Sequence, residues 1–182
     1  MGRSHAGVRG RALLRAGPCG HGDLAHGTKG AGRAVSWSGA CQCGAVRFEV
    51  QADALIAYAC HCSECRRQAA SAYGLSVPVM EPALSVGGDL SRYDRPASEG
   101  AMTECYFCPS CGSRVFHRSS KRQGMVTVKG GLFDRASELE PKGHVWVRSK
   151  LAWVEIPDDA PQWKTQPQTM QEWAGLWRGE KV

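Results

Sequence analysis

Seven of the nine cysteines fall into three tight clusters. Cys41-Gln42-Cys43 is a C-x-C. Cys60-His61-Cys62-Ser63-Glu64-Cys65 is a C-x-C-x-x-C. Cys108-Pro109-Ser110-Cys111 is a C-x-x-C followed by Gly112. Cysteines this close together bridge poorly as disulfides, which need particular Cα separations and Cβ directions. They converge readily on one metal ion, because thiolate sulfurs sit ~2.3 Å from Zn²⁺ in a tetrahedron and one turn can supply two or three of them. An odd number of cysteines, with no secretory apolar stretch, also speaks against a disulfide framework.

Counting ligands points to a partition. The pairs Cys41/Cys43 and Cys108/Cys111 complete a closed, structural four-cysteine zinc site. Its metal-binding free energy, on the order of 10 kcal/mol, would be expressed as folding free energy. Gly112 suits the tight turn of such a knuckle. Cys60, Cys62 and Cys65 come from one short loop and leave one vertex open, the pattern of a catalytic zinc. Three alternatives stay open at this point. Cys105, His117 or His61 could close the second site. Only one metal could bind, leaving the other thiols free and buried. An iron–sulfur cluster could use the same ligands. Cys19 lies in the N-terminal segment and is expected to be inert. Cys105 alternates with Phe107 in a strand pattern and is expected in the core.

Three thiolates on a zinc leave a mild Lewis acid. A substrate thiol at the open corner would bind as thiolate, and an aldehyde held beside it would gain from proximity. The catalytic set is therefore expected at Cys60, Cys62 and Cys65. His61 could shuttle a proton or simply pack. Glu64 could act as a base or be solvated. Arg66 and Arg67 could hold a substrate carboxylate or lie on a helix surface. Arg114, Lys121 and Arg122 are candidates for a basic rim.

The elements that must position these groups are mostly strands. Ala45 to Val50 alternates apolar and polar residues, as a half-buried strand does. Strands are also expected at Leu55–Ala59, Ala72–Val79, Leu84–Val86, Leu90–Tyr93, Met102–Phe107, Arg114–His117, Met125–Lys129, Val145–Val147 and Leu151–Ile156. A short helix is expected over Ser63–Ala70 with Ser63 as its N-cap. One helical turn is expected at Asp134–Leu139 and a C-terminal helix over Thr169–Trp177. On that helix Trp173 and Trp177 share one face, which should dock on the sheet or on a second subunit. The fold class is mainly β: a single zinc-stapled domain of short antiparallel strands with a few short helices.

The 182 residues suit one domain with tails. Apolar residues make up 42% and charged residues 22%, enough for a packed core. No apolar run reaches the ~18 residues of a membrane-spanning helix. The net charge of +6 is uneven. Residues 1–38 carry six basic residues and one acid, so the body is nearly neutral and a nucleic-acid footprint on it is not expected. That segment is rich in glycine and has one aromatic residue, Trp37. Residues 1–37 read as a disordered basic tail, a targeting peptide or sequence upstream of the true start. Residues 38–163 read as the zinc-binding domain and 164–182 as a C-terminal helix or tail.

The segment Gly39-Ala40-Cys41-Gln42-Cys43-Gly44-Ala45-Val46-Arg47-Phe48 is similar to the opening of the glutathione-dependent formaldehyde-activating enzyme family, which includes centromere protein V. Cys60 to Arg66 and Phe107 to Ser113 match the family's next two blocks in order and approximate spacing. His144 to Val147, Lys150, Trp153 and Ile156-Pro157 look like its closing segment. The resemblance implies a β-tent-like zinc protein with a structural ion on Cys41, Cys43, Cys108 and Cys111 and a functional one on Cys60, Cys62 and Cys65. It implies a carbon–sulfur lyase or adduct-forming enzyme, with glutathione and formaldehyde joined as S-hydroxymethylglutathione; the expected location is cytoplasmic. A glutathione-like thiol is the expected partner, and a homodimer is an open arrangement. The competing expectation is a non-catalytic zinc module that binds a protein or nucleic acid, motivated by the basic tail and by centromere protein V. Zinc storage or redox sensing through exposed thiolates is a third.

Overall fold

Short alternating segments pair when each can bury one face, and here they form two sheets. The computed structural model describes residues 35–97 and 100–179. The N-terminal tail expected at 1–37 falls almost wholly outside the described residues.

A three-stranded antiparallel sheet contains β1 (Ser36–Ala40), β2 (Arg47–Gln51) and β5 (Leu84–Gly87) in the order β1-β2-β5. The second sheet has eight strands. In chain order these are β3 (Ala57–Cys60), β4 (Gly74–Met80), β6 (Ser91–Pro96), β7 (Met102–Phe107), β8 (Arg114–Ser119), β9 (Met125–Lys129), β10 (Pro141–Val145) and β11 (Gln162–Trp163). Their spatial order is β11-β10-β3-β4-β9-β8-β7-β6. The fold is mostly β, as expected, and the sheets do not close into a barrel. Two pairings depart from the antiparallel expectation: β10 runs parallel to both β3 and β11.

Residues paired across neighbouring strands share a face, and side chains alternate along each strand. The register puts Val77 opposite Val128, Val79 opposite Val126 and Phe116 opposite Val128. That face of the large sheet is apolar and packs with Trp37, Phe48 and Val50 of the small sheet and with Phe133. Phe133 meets both Trp37 and Phe48 edge-on, at 6.4 and 5.1 Å between ring centroids. The opposite face carries Tyr58, Ser76, Lys129, Thr127, His117 and Cys105 in register. One sheet thus presents a core on one side and a polar floor on the other.

Two helices complete the chain: α1 (Ser63–Ala69) and α2 (Met170–Arg178). The N-cap of α1 is Cys62 rather than the expected Ser63. The Cys62 sulfur accepts from the Cys65 backbone N–H at 3.3 Å, so one residue caps the helix and stands in the cysteine cluster. Thr169 caps α2 in a reciprocal capping box with Glu172. The shared Trp173/Trp177 face docks within the chain, with Trp173 edge-on to Tyr58 at 5.9 Å.

Two strand expectations fail for visible reasons. β10 ends at Val145 because Trp146 turns into the left-handed region (φ 59°), which no strand accommodates. Residues 151–156 form no strand. Their carbonyls are drawn to the Lys150 ammonium, which donates to Val154 O at 2.5 Å and Leu151 O at 3.4 Å. The strands β1 and β11 were not anticipated. β1 starts at Ser36, and its Trp37 is buried in the core rather than lying in a tail.

Candidate metal centre

Two hairpin turns from different sheets build the first cysteine cluster. The β1–β2 turn carries Cys41 and Cys43, and the β7–β8 turn carries Cys108 and Cys111. Both turns fold alike. Gly44 N–H donates to Cys41 O at 3.0 Å and Gly112 N–H donates to Cys108 O at 2.9 Å, and both glycines have positive φ (76° and 73°). A side chain at either position would strain the turn. The Gln42 N–H donates to the Ser113 hydroxyl at 3.1 Å and fastens one turn to the other.

The four sulfurs lie within 4.8 Å of one another. Cys41 and Cys43 sulfurs are 3.5 Å apart, and Cys43 and Cys108 sulfurs 3.8 Å. A tetrahedral zinc with bonds of ~2.3 Å would set its sulfurs about 3.8 Å apart, so the donor set fits that ion. The Val46 N–H donates to the Cys41 sulfur at 3.2 Å. Burial pushes the Cys41 thiol up, but that N–H and the neighbouring Cys43 and Cys108 more than reverse it. The Ser113 hydroxyl and N–H hold Cys111 down to about 5. At Cys43 the Ala45 N–H acts downward, but the Cys41 and Cys111 thiols push it up to about 11. The cluster thus distributes negative charge unevenly.

The second cluster sits where β3 ends and α1 begins. Cys60, Cys62 and Cys65 sulfurs converge within 4.8 Å, with 3.5 Å between Cys60 and Cys62. The thiols of Cys60 and Cys65, and the N–H groups of Cys65 and Glu64, hold Cys62 down to about 2. Cys60 is pushed up by Cys62, by Cys65 and by burial. Cys60 draws Cys65 down, but Cys62 and burial carry it above its usual value. Without a metal the trio therefore holds one thiolate and two thiols, a set that a divalent ion would complete by displacing protons.

Among the described residues no fourth histidine, cysteine or carboxylate joins the trio. His61 turns away from it and is fully buried, its Nε2 3.0 Å from His144 Nδ1. Burial and the neighbouring His144 hold His61 down to about 4. The Ser149 hydroxyl donates to the His61 carbonyl at 3.2 Å and ties the 147–149 turn to the trio's loop. Cys105 lies buried on β7, approached by the Gln68 amide at 3.8 Å.

The trio opens into a cavity of about 430 Å³. The polar face of the large sheet forms one side of it through Tyr58, Thr103, His117 and Thr127. Trp146 and Trp173 line it too, as do Arg95, Lys121, Arg122 and Arg148. Arg122 lies over the Trp173 ring at 4.1 Å and Arg148 over the Trp146 ring at 4.8 Å, so cation–π contact holds two guanidinium groups near the site. Lys121 and Arg122 were expected in such a rim. Arg95, Arg148 and Tyr58 were not, because nothing in their local sequence marks them: the sheet brings Tyr58 and Arg95 to the cavity, and the 147–149 turn brings Arg148.

Other expected groups lie elsewhere. Arg66 and Arg67 line a separate shallow groove with Leu151 and Trp153. Arg114 does not line the cavity. Glu64 does, but it pairs with Arg67 at 3.2 Å and approaches Arg95 at 4.0 Å.

A β scaffold with a four-cysteine cluster, and a three-cysteine cluster facing a basic cavity, has two thiol sets that could each hold a metal ion. The chain belongs to the glutathione-dependent formaldehyde-activating enzyme family, whose sequence model matches residues 36–149. A crystal structure of a Rhodobacter sphaeroides protein is 23% identical over 69% of this chain and 98% of that one, with a TM-score of 0.42. No curated protein matches the chain. Family membership points to chemistry on glutathione and formaldehyde.

Proposed function

We propose that this protein is a zinc-dependent carbon–sulfur lyase or adduct-forming enzyme whose working site is the Cys60/Cys62/Cys65 trio. The observation that carries this reading is the trio's position: three convergent sulfurs, no fourth ligand from the described residues, and a 430 Å³ cavity beside them. Cys41, Cys43, Cys108 and Cys111 hold the structural ion in this reading. When bound at the trio, zinc supplies Lewis acidity and a preference for sulfur as thiolate.

The chain's own residues supply the rest. Cys62 is poised as thiolate by the Cys60 and Cys65 thiols and, behind them, by the N–H groups of Cys65 and Glu64. Arg122 and Arg148 offer charge to the carboxylates of a glutathione-like thiol. Tyr58 and Thr127 offer hydroxyls on the cavity floor. In the forward direction a carbon–sulfur bond forms between the thiol sulfur and the formaldehyde carbon. The carbonyl π pair moves to oxygen, which takes a proton, and the thiol gives one up. The reverse reaction breaks the same bond and releases aldehyde and thiol.

Carbon-13 NMR of formaldehyde and glutathione mixtures tests this directly. The zinc-loaded protein should speed the appearance of the hydroxymethyl signal over the uncatalysed reaction, and Cys62→Ser should abolish the gain. A fully loaded protein that accelerates no thiol–aldehyde pair would refute the reading.

A further inference from the structure

Lys129 is the least expected residue near the site. It is 8% exposed, and its Nζ has no hydrogen-bond partner among the described residues. An isolated buried ammonium costs several kcal/mol, so something must offset it. Lys129 pairs with Ser76, which pairs with Tyr58, so it stands on the sheet face that floors the cavity, two residues from Thr127. Burial, with the Arg114 guanidinium adding to it, holds its ammonium below the usual lysine range, and the sulfurs of Cys65, Cys60 and Cys105 act upward against them. Arg114 is built the same way: its Nη2 is buried without a partner, and burial pushes its guanidinium down while Cys105 and Cys65 act upward. His117, among Lys129, Arg114, Arg95 and Arg122, is held neutral by burial and by those cations. Ser76, the partner of Lys129, lies two residues from Gly74, which pairs with Cys60 and where an added Cβ would meet the Cys65 Cβ at 3.1 Å, so the trio, once its sulfurs are thiolates on a metal, is placed to supply the counter-charge on this face.

Three thiolates on a divalent ion carry one net negative charge. An anionic fourth ligand would add a second and be repelled. Two buried cations on the protein side offset both charges in a region of low dielectric. We infer that Lys129, assisted by Arg114, is a positioning residue that tunes the open corner of the Cys60/Cys62/Cys65 site to accept an anion, such as a thiolate, over a neutral ligand. This rests on the open-corner reading above and adds a determinant outside the ligand set.

The test uses full-length protein carrying cobalt in place of zinc, with Lys129→Met and Lys129→Arg variants. Each is titrated with thiocyanate, an anion, and imidazole, a neutral ligand, while the cobalt d–d absorption is followed. Lys129→Met should weaken thiocyanate binding about tenfold or more, equivalent to at least ~1.4 kcal/mol. Imidazole binding should change less than about threefold, and Lys129→Arg should keep the parent's preference. Failure of the methionine variant alone to load a second cobalt supports the same conclusion, because the arginine variant retains the charge. Equal loss of both probes, no change in either, or the same loss in both variants overturns the inference. If the parent protein binds only one cobalt, or its second cobalt responds to neither probe, the open corner itself is refuted and this inference falls with it.

Discussion

At the scale of single residues, the proposed function gives the two cysteine clusters different work. Removing one ligand from the four-cysteine cluster forfeits metal binding worth on the order of 10 kcal/mol, as large as the whole stability of an ordinary domain. Cys43→Ser and Cys108→Ser should therefore unfold the chain or leave it insoluble, seen as loss of a cooperative melting transition. Cys62→Ser should lose one metal per chain and the adduct-forming activity, yet keep a cooperative melt and the first metal. Mass spectrometry under native conditions, paired with calorimetry, separates the two outcomes. Equal damage from Cys62→Ser and Cys43→Ser would contradict the division of labour. All seven of these residues were legible from spacing alone, because clustered cysteines need no tertiary context to be recognised as potential ligands. Lys129, Arg95 and Arg148 were not legible, since each sits in an unremarkable stretch and only the fold brings it near the trio.

At the scale of elements, the family match stops at residue 149, but the cavity does not. Gln166 and Trp173 line it, and Leu176 of α2 is fully buried against the cluster that includes Tyr58, Cys60 and Cys65. Leu176→Ala should cost ~2–5 kcal/mol and loosen α2, lowering the melting temperature with the metal content intact. Adduct formation should fall with it as the Trp173 wall moves, and a rate unchanged beside a lowered melt would show that α2 is dispensable to the site. The strands β7 and β9 matched their expected bounds because both alternate cleanly between turns. β11 is two residues long and pairs in parallel, so no periodic signal could mark it. The run at 151–156 misled because its apolar content resembles a strand, whereas its Trp153 is 72% exposed and its carbonyls turn to Lys150.

At the scale of the whole molecule, buried histidines set the acid limit. His61, His117 and His144 are each pushed below the usual imidazole range, first by burial. The unfolded chain takes up protons near pH 6.5, whereas folded His61 resists until about 4. The unfolded state binds more protons across that window, so stability should fall as pH drops from about 6.5 to 4. Thermal melts across the window check this, and a flat profile would contradict it. Removing residues 1–34 leaves β1 whole, so metal content and adduct formation should persist; loss of both activity and a binding partner would favour a module acting through its tail. No helix among the described residues is long and apolar enough to cross a membrane. The most direct test of the central claim is X-ray absorption of the zinc-loaded protein, with metal counted per chain. The account predicts two zincs, one with four sulfurs and one with three sulfurs and an exchangeable fourth ligand that added thiol replaces. A single zinc, or a second zinc closed by a fourth side chain of this protein, would contradict it.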